Sequence, residues 1–502
     1  MKKKSGLLKA LGAIVLLTAG VIIGKTFFSS NAPTATPIPS TMMYRNVGQS
    51  KDTTQAANKE VFSGNIIPVK DGQSIQKAVD NAVPGDLIQV YPGKYNETVY
   101  IDKDNISFQG IIIDGEWPTL DGNKKLNDAF LYSGNGITIE NFKIENYKGN
   151  GIMGQAGNNF VVRNNWIIDT GVYGIFPQYG KNGLIEHNIL TKIADAAIYV
   201  GMCDNVDVKF NEVFGNVAGI EIENSRHCLV EGNYTHDNTG GILAFLTPGL
   251  PIKTVYDVII RNNFVIDNNH ENFGAPGSIV AGVPVGTGIL VMAADDVIIE
   301  NNFITGNDNS GITIVDLPTG APTANDPNSE PNPDRLIILD NMMISNGNNP
   351  VGEIKALMLT QFKTKGPDIL AMGGGGGSTI RDKNRYRTFG LGDYGPAPIT
   401  DTKDITTMTF DEPVAPRSVS EHELGELTYY GICAGCHAYQ NRLIGVPMQI
   451  IQGIYHDNPQ GIVDYITNPK NLRENYPDMP KQDYLSDEAK MAVAKYILAM
   501  KQ

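Results

Sequence analysis

At 502 residues the chain is too long for one ordinary core, so two or more folded units are expected. A formal net charge of −14 argues against a nucleic-acid partner. Abundant glycine (54 residues) and few long helical periodicities point to a turn-rich, mainly β architecture.

The chain opens with Lys2, Lys3, Lys4 and Lys9 ahead of an apolar run from Ala10 to Gly24. This is the layout of a signal peptide or an N-terminal membrane anchor, assigned to residues 1–28. No small-x-small cleavage site is well placed, which favours an anchor in the inner membrane with its lysines inside. The rest of the chain is then expected on the periplasmic or extracellular face. Residues 29–61 are rich in Ser, Thr, Pro and Asn without periodicity and read as a flexible linker.

Ser74 is a candidate N-cap for a short amphipathic helix with Ile75, Ala78, Val79 and Ala82 on one side. Pro84-Gly85-Asp86 then turns the chain into alternating strands at 87–91 and 98–101. This opening resembles the N-terminal cap and first coils of right-handed parallel β-helix proteins, the group that holds pectate lyases and NosD-like proteins.

A repeat supports that reading independently. Asn141, Asn165, Asn188, Asn211 and Asn233 recur at spacings of 24, 23, 23 and 22 residues. Gly151-Ile152, Gly174-Ile175, Ala197-Ile198, Gly219-Ile220 and Gly241-Ile242 run in step, and Asn263, Asn302 and Asn341 continue the series. Two markers with one period define a stacked coil, here assigned to residues 62–395, with the asparagines expected to bond from coil to coil. Segments 246–256, 270–287 and 318–334 lengthen individual coils, and such loops commonly shape a binding face. Residues 351–389 leave the repeat, and the five glycines 373–377 read as flexible.

Strand alternation places Met153, Phe176, Tyr199, Glu221, Leu243, Leu290 and Thr313 outward in one row, with Gln155, Gln178, Glu223 and Phe245 in the next. Glu221 and Glu223 are the candidate catalytic residues: two carboxylates roughly 7 Å apart along one strand suit inverting glycoside hydrolysis. The rows hold no Lys or Arg to abstract a sugar proton and no Asp cluster for calcium, which speaks against a polysaccharide lyase. Their apolar members are expected to be covered, by the inserted loops or by the C-terminal segment. His227, His236 and Asp237 form a further polar or metal candidate, against the reading of solvated coil corners. Cys203 and Cys228 form either a disulfide or two small buried residues.

A linker at 396–420 leads to a helical unit, 421–502, with helices expected at 421–432, 460–467 and 486–500. It contains Cys433-Ala434-Gly435-Cys436-His437, the C-x-x-C-H spacing for covalent attachment of a c-type haem. Helix, C-x-x-C-H, Met479 in a Pro-flanked loop and a closing helix resemble the small monohaem class I cytochromes c. That resemblance implies one covalent haem c on Cys433 and Cys436 with His437 and Met479 as iron ligands; Met448 and His456 compete for the last place. The expectation is an extracytoplasmic electron-transfer protein, a monohaem cytochrome on a β-helix scaffold with redox partner proteins. The alternative is a carbohydrate-binding or carbohydrate-active β-helix taking a polysaccharide, its haem accepting electrons from a sugar-oxidising partner. NosD-like metal-site maturation rests on fold analogy alone.

Overall fold

The computed structural model describes residues 64–322, 326–420, 423–472 and 476–501. The proposed anchor and first linker lie outside these residues. Among the described residues no helix is long and apolar enough to cross a membrane.

The chain winds into a right-handed parallel β-helix whose coils each contribute a strand to three sheets of 13, 11 and 10 strands. All the pairings between strands are parallel and in register: Ile152 opposes Ile175, Ile198 opposes Ile220, and Ile242 opposes Ile289. The isoleucines of the repeat point inward and are buried, so one apolar stack fills the interior along the length of the helix. Helix α1 (Ile75–Asn81) covers the first coil; Ser74 caps it by accepting from the Lys77 amide, and Ile75, Ala78 and Val79 close the core.

The asparagine ladder is present but begins one coil later than the spacing predicted. Asn165 Oδ1 accepts from the Phe142 amide, Asn188 Oδ1 from the Asn165 amide at 3.0 Å, and the series continues through Asn211, Asn233, Asn263 and Asn302 to Asn341. Asn141 belongs instead to the corner residue before the ladder, which has a left-handed backbone (φ 65°) as do Asn164, His187 and Phe210. Asparagine tolerates that conformation better than most residues, which explains why the two positions share a residue type. A second ladder, from Asn216 through Asn238, Asn268 and Asn307 to Asn346, lines another corner.

Cys203 and Cys228 are both free and buried, which settles the open choice against a disulfide. The five glycines 373–377 form a defined turn: four have positive φ, and the Gly376 amide donates to Asp334 Oδ1 at 2.7 Å.

Residues 397–420 run back along the 13-stranded sheet as a strap. Ile405 and Met408 pack on Leu229, Ile259 and Ile298. Arg261 holds the strap through Thr402 and the Ile405 carbonyl, and Thr402 also bonds buried Glu300. Further along, the Met408 amide donates to Asp207 and the Val414 amide to Asn159, both at 2.8 Å. The composition suggested a loose linker because it has no periodicity; its order comes from polar groups on coils it does not neighbour in sequence.

The C-terminal helices are Leu424–Thr428 continued by a wider turn at Tyr429–Cys433, Met448–Ile454, Pro459–Thr467 and Asp487–Ala499. Ser486 caps the last, as its sequence predicted. The helix at Met448–Ile454 was not anticipated, nor was Gly352–Thr360 within the β-helix portion.

Candidate active site

The C-terminal helices lie across the 11-stranded sheet and cover its outward rows over the first coils. Gln155 Nε2 donates to the Tyr484 hydroxyl at 2.6 Å, Gln178 Nε2 donates to the Tyr430 carbonyl at 2.9 Å, and Tyr484 packs on Tyr100. Gly435 sits so close to Phe176 that a Cβ there would come within 2.6 Å of its ring. Met202 and Leu250 of the β-helix share one apolar cluster with Tyr429, Met448 and Val493. The apolar outward rows are thus covered over these coils, by the C-terminal segment.

Beyond the covered coils the same face opens into a cleft of about 610 Å3. Its floor carries Tyr199, Glu221, Glu223, Leu243 and Phe245. Register puts Glu221 between Tyr199 and Leu243, and Glu223 beside Phe245, so both predicted glutamates lie on the outward row of one strand. Insert 278–285 and residues 351–354 supply walls, with Leu443 and Ile444 from the C-terminal segment.

A third carboxylate, Asp195, lines the same cleft. Sequence reasoning missed it, although the repeat holds a signal: Asp195 stands two residues before the Ala197-Ile198 marker, where other coils have Gly149, Val172, Val217 and Thr239. Glu221 and Glu223 are only 3% and 4% exposed. Burial pushes the Glu221 carboxyl up to about 8 and the Glu223 carboxyl up to about 7; the Thr247 hydroxyl, donating to Glu223, pulls the latter back. Burial, with both glutamates nearby, keeps Asp195 well above the ordinary carboxylate range. Two buried hydrogen-bonding groups at the cleft, Tyr199 Oη and Asn309 Nδ2, have no partner among the described residues. Such groups normally bond to something, so they suit a polar ligand.

The other predicted residues fall elsewhere. Cys433, Cys436, His437, Met448 and Met479 line one apolar cavity of about 200 Å3 in the C-terminal unit, whereas His456 is exposed beside Asp457. Burial raises both thiols to about 12 and lowers His437, whose Nδ1 bonds the Val446 carbonyl at 2.7 Å. His227 pairs with Asp204 and His236 with Asp237 and Glu212, on different sheets, so the candidate polar site does not assemble.

Residues 109–249 and 196–326 match the family model described as right handed beta helix region. No curated protein matches the chain. Among solved structures, the mannuronan C-5 epimerase AlgE6 A-module of Azotobacter vinelandii is 14% identical, covering 63% of this chain and 82% of that one, with a TM-score of 0.45. An alginate lyase from a Paenibacillus is 15% identical over 57% of this chain and 99% of that one (TM-score 0.40). The exopolygalacturonase of Thermotoga maritima is 12% identical over 56% and 80% (TM-score 0.36). At these identities the likeness is one of fold.

These findings correct the electron-carrier reading. The family model matched is that of a β-helix, not of a cytochrome. The haem c and electron-transfer expectations are corrected on that ground, and the outward face of the β-helix carries the cleft of about 610 Å3.

Proposed function

We propose that this chain is a carbohydrate-active β-helix protein that hydrolyses a glycosidic bond in the cleft on its 11-stranded sheet. One observation carries the reading: two carboxyls on one strand, placed by burial at about 7 and about 8, on the floor of an open cleft. Near neutral pH such a pair supplies one ionised and one protonated member, the division of labour that glycoside hydrolysis needs. Glu223, the lower of the two, accepts a proton from water. That water's oxygen bonds to the anomeric carbon. Glu221 gives its proton to the departing glycosidic oxygen as the carbon–oxygen bond breaks. Tyr199 and Phe245 line the cleft beside the pair, with the Tyr199 ring held by stacking on Tyr173 at 4.4 Å.

The test is incubation of the full chain with a panel of polysaccharides and assay of new reducing ends. Glu221→Gln and Glu223→Gln are each expected to lose about 10²–10⁴-fold in rate while remaining folded. Absence of product from every polymer, or undiminished rates in both variants, would sink the proposal.

A further inference from the structure

The two ends of the cleft and the charge of its lining say more about what enters it. Toward the early coils the groove does not continue. The floor residues Gln155, Phe176 and Gln178 are all buried under the C-terminal segment, and Gly435, Leu443 and Ile444 stand as the end wall. On the other side the wall is made by Gly320 against Met292 and by Val351 to Ile354 at the start of the helix Gly352–Thr360. A polymer therefore has no channel to lie through, and about 610 Å3 is the size of a site for one small ligand.

The lining is also one-sided in charge. Asp195, Glu221, Glu223 and Glu353 face the cleft, and no Lys, Arg or His is among the described residues that line it. Arg442, nearest the rim beside Gly277, stacks over the Tyr476 ring at 4.1 Å and donates to the Pro276 carbonyl. A uronate carboxylate would thus meet buried acids with no countercharge, an unfavourable arrangement unless a partner is present. The unpartnered Tyr199 hydroxyl and Asn309 amide suit neutral hydroxyl groups instead.

Resting on the hydrolase reading, we infer that the cleft takes the terminus of a saccharide chain that carries no carboxylates and releases short products from that end. The substrate class is a glycan without uronate units, and the mode of attack is exo.

The full-length protein is incubated in parallel with neutral glucans and fructans, with polygalacturonate and alginate, and with a de-N-acetylated amino-sugar polymer. Chromatography follows products while viscometry follows chain length. The expected result is mono- or disaccharide release from a neutral or amino-sugar polymer from the first time point, with viscosity nearly unchanged, and rates at least tenfold lower on the polyuronates. A ladder of intermediate oligomers with an early fall in viscosity overturns the exo assignment and leaves the hydrolase reading intact. Faster cleavage of a polyuronate overturns the substrate-class assignment in the same way. No product from any polymer removes the hydrolase reading and this inference with it. In the Leu443→Ala/Ile444→Ala variant, which shortens the end wall, the main product of the neutral polymer is expected to become longer; an unchanged product argues that these residues do not set the closed end.

Discussion

Glu221 acquires its chemistry from what covers it. On an open strand its carboxyl would titrate near the ordinary 4.5, but with 3% of the residue exposed burial pushes it up to about 8. Between those two values the folded protein holds a proton that the unfolded chain has released. Stability therefore falls as pH rises from about 4.5 to about 8 and is level above that. Glu221→Gln removes the ionisation and is expected to leave the unfolding free energy from urea titration little changed at pH 4 and to raise it at pH 9, by on the order of a few kcal/mol. An equal difference at both pH values would mean that burial does not shift this group. The same two titrations predict hydrolysis that is fastest between about pH 7 and about pH 8 and falls on both sides, as the pair gains or loses its shared proton. Alternation in the sequence was enough to set Glu221 and Glu223 on the outward row. It could not show them buried, because their cover comes from segments 278–285, 351–354 and 443–444, far away along the chain. Asp195 was missed for a different reason: it precedes its strand at a coil corner, where alternation says nothing about direction.

At the scale of the coil, the ladder asparagines do the work that a turn would do in an isolated hairpin. Asn233 is fully buried; its Oδ1 accepts both the Asn211 amide and the Asn211 Nδ2, and its own Nδ2 donates to the Val208 carbonyl at 2.9 Å. Asn233→Ala leaves those groups without partners, and each buried orphan costs about 1–3 kcal/mol. The expected outcome is an unfolding free energy from urea titration lowered by at least about 1 kcal/mol, with retained β-sheet circular dichroism; a loss below about 0.5 kcal/mol would show that water replaces the side chain. The period was legible because one position is held to one residue type by these bonds. Its start was misplaced because Asn141, at a left-handed corner, mimics the ladder in sequence while Phe142 holds the ladder position in space. The second ladder has the same signal in the sequence, since Asn216, Asn238, Asn268, Asn307 and Asn346 each lie five residues after a member of the first.

Across the whole described chain, the strap and the C-terminal helices turn an open solenoid into one with a pocket. Arg417 donates to the carbonyls of Ala156 and Tyr179 and lies over the Tyr179 ring at 4.6 Å, so the strap's end is fixed to the early coils. Trypsin under native conditions is expected to spare the bond after Arg417 while the urea-unfolded chain is cut there, followed by mass spectrometry. Rapid native cleavage at Arg417 would return this segment to the loose linker that its composition suggested. That composition misled because a strap bound through scattered side chains has no period to read.

The Gln155–Tyr484 hydrogen bond joins residues 329 positions apart, and the Lys148–Asp478 pair spans 330. Such separations order events during folding. The coils can stack one upon another by local winding, each templating the next. The end wall of the cleft cannot form until the last coil is closed and the strap has travelled back to the early ones, a slow, non-local step. A chain interrupted before residue 420 would therefore hold a wound β-helix with Phe176, Gln178 and Gln155 bare to solvent. The completed pocket thus reports that the C-terminal helices have been made and docked, and that sticky face is what a chaperone would meet on a copy still lacking them.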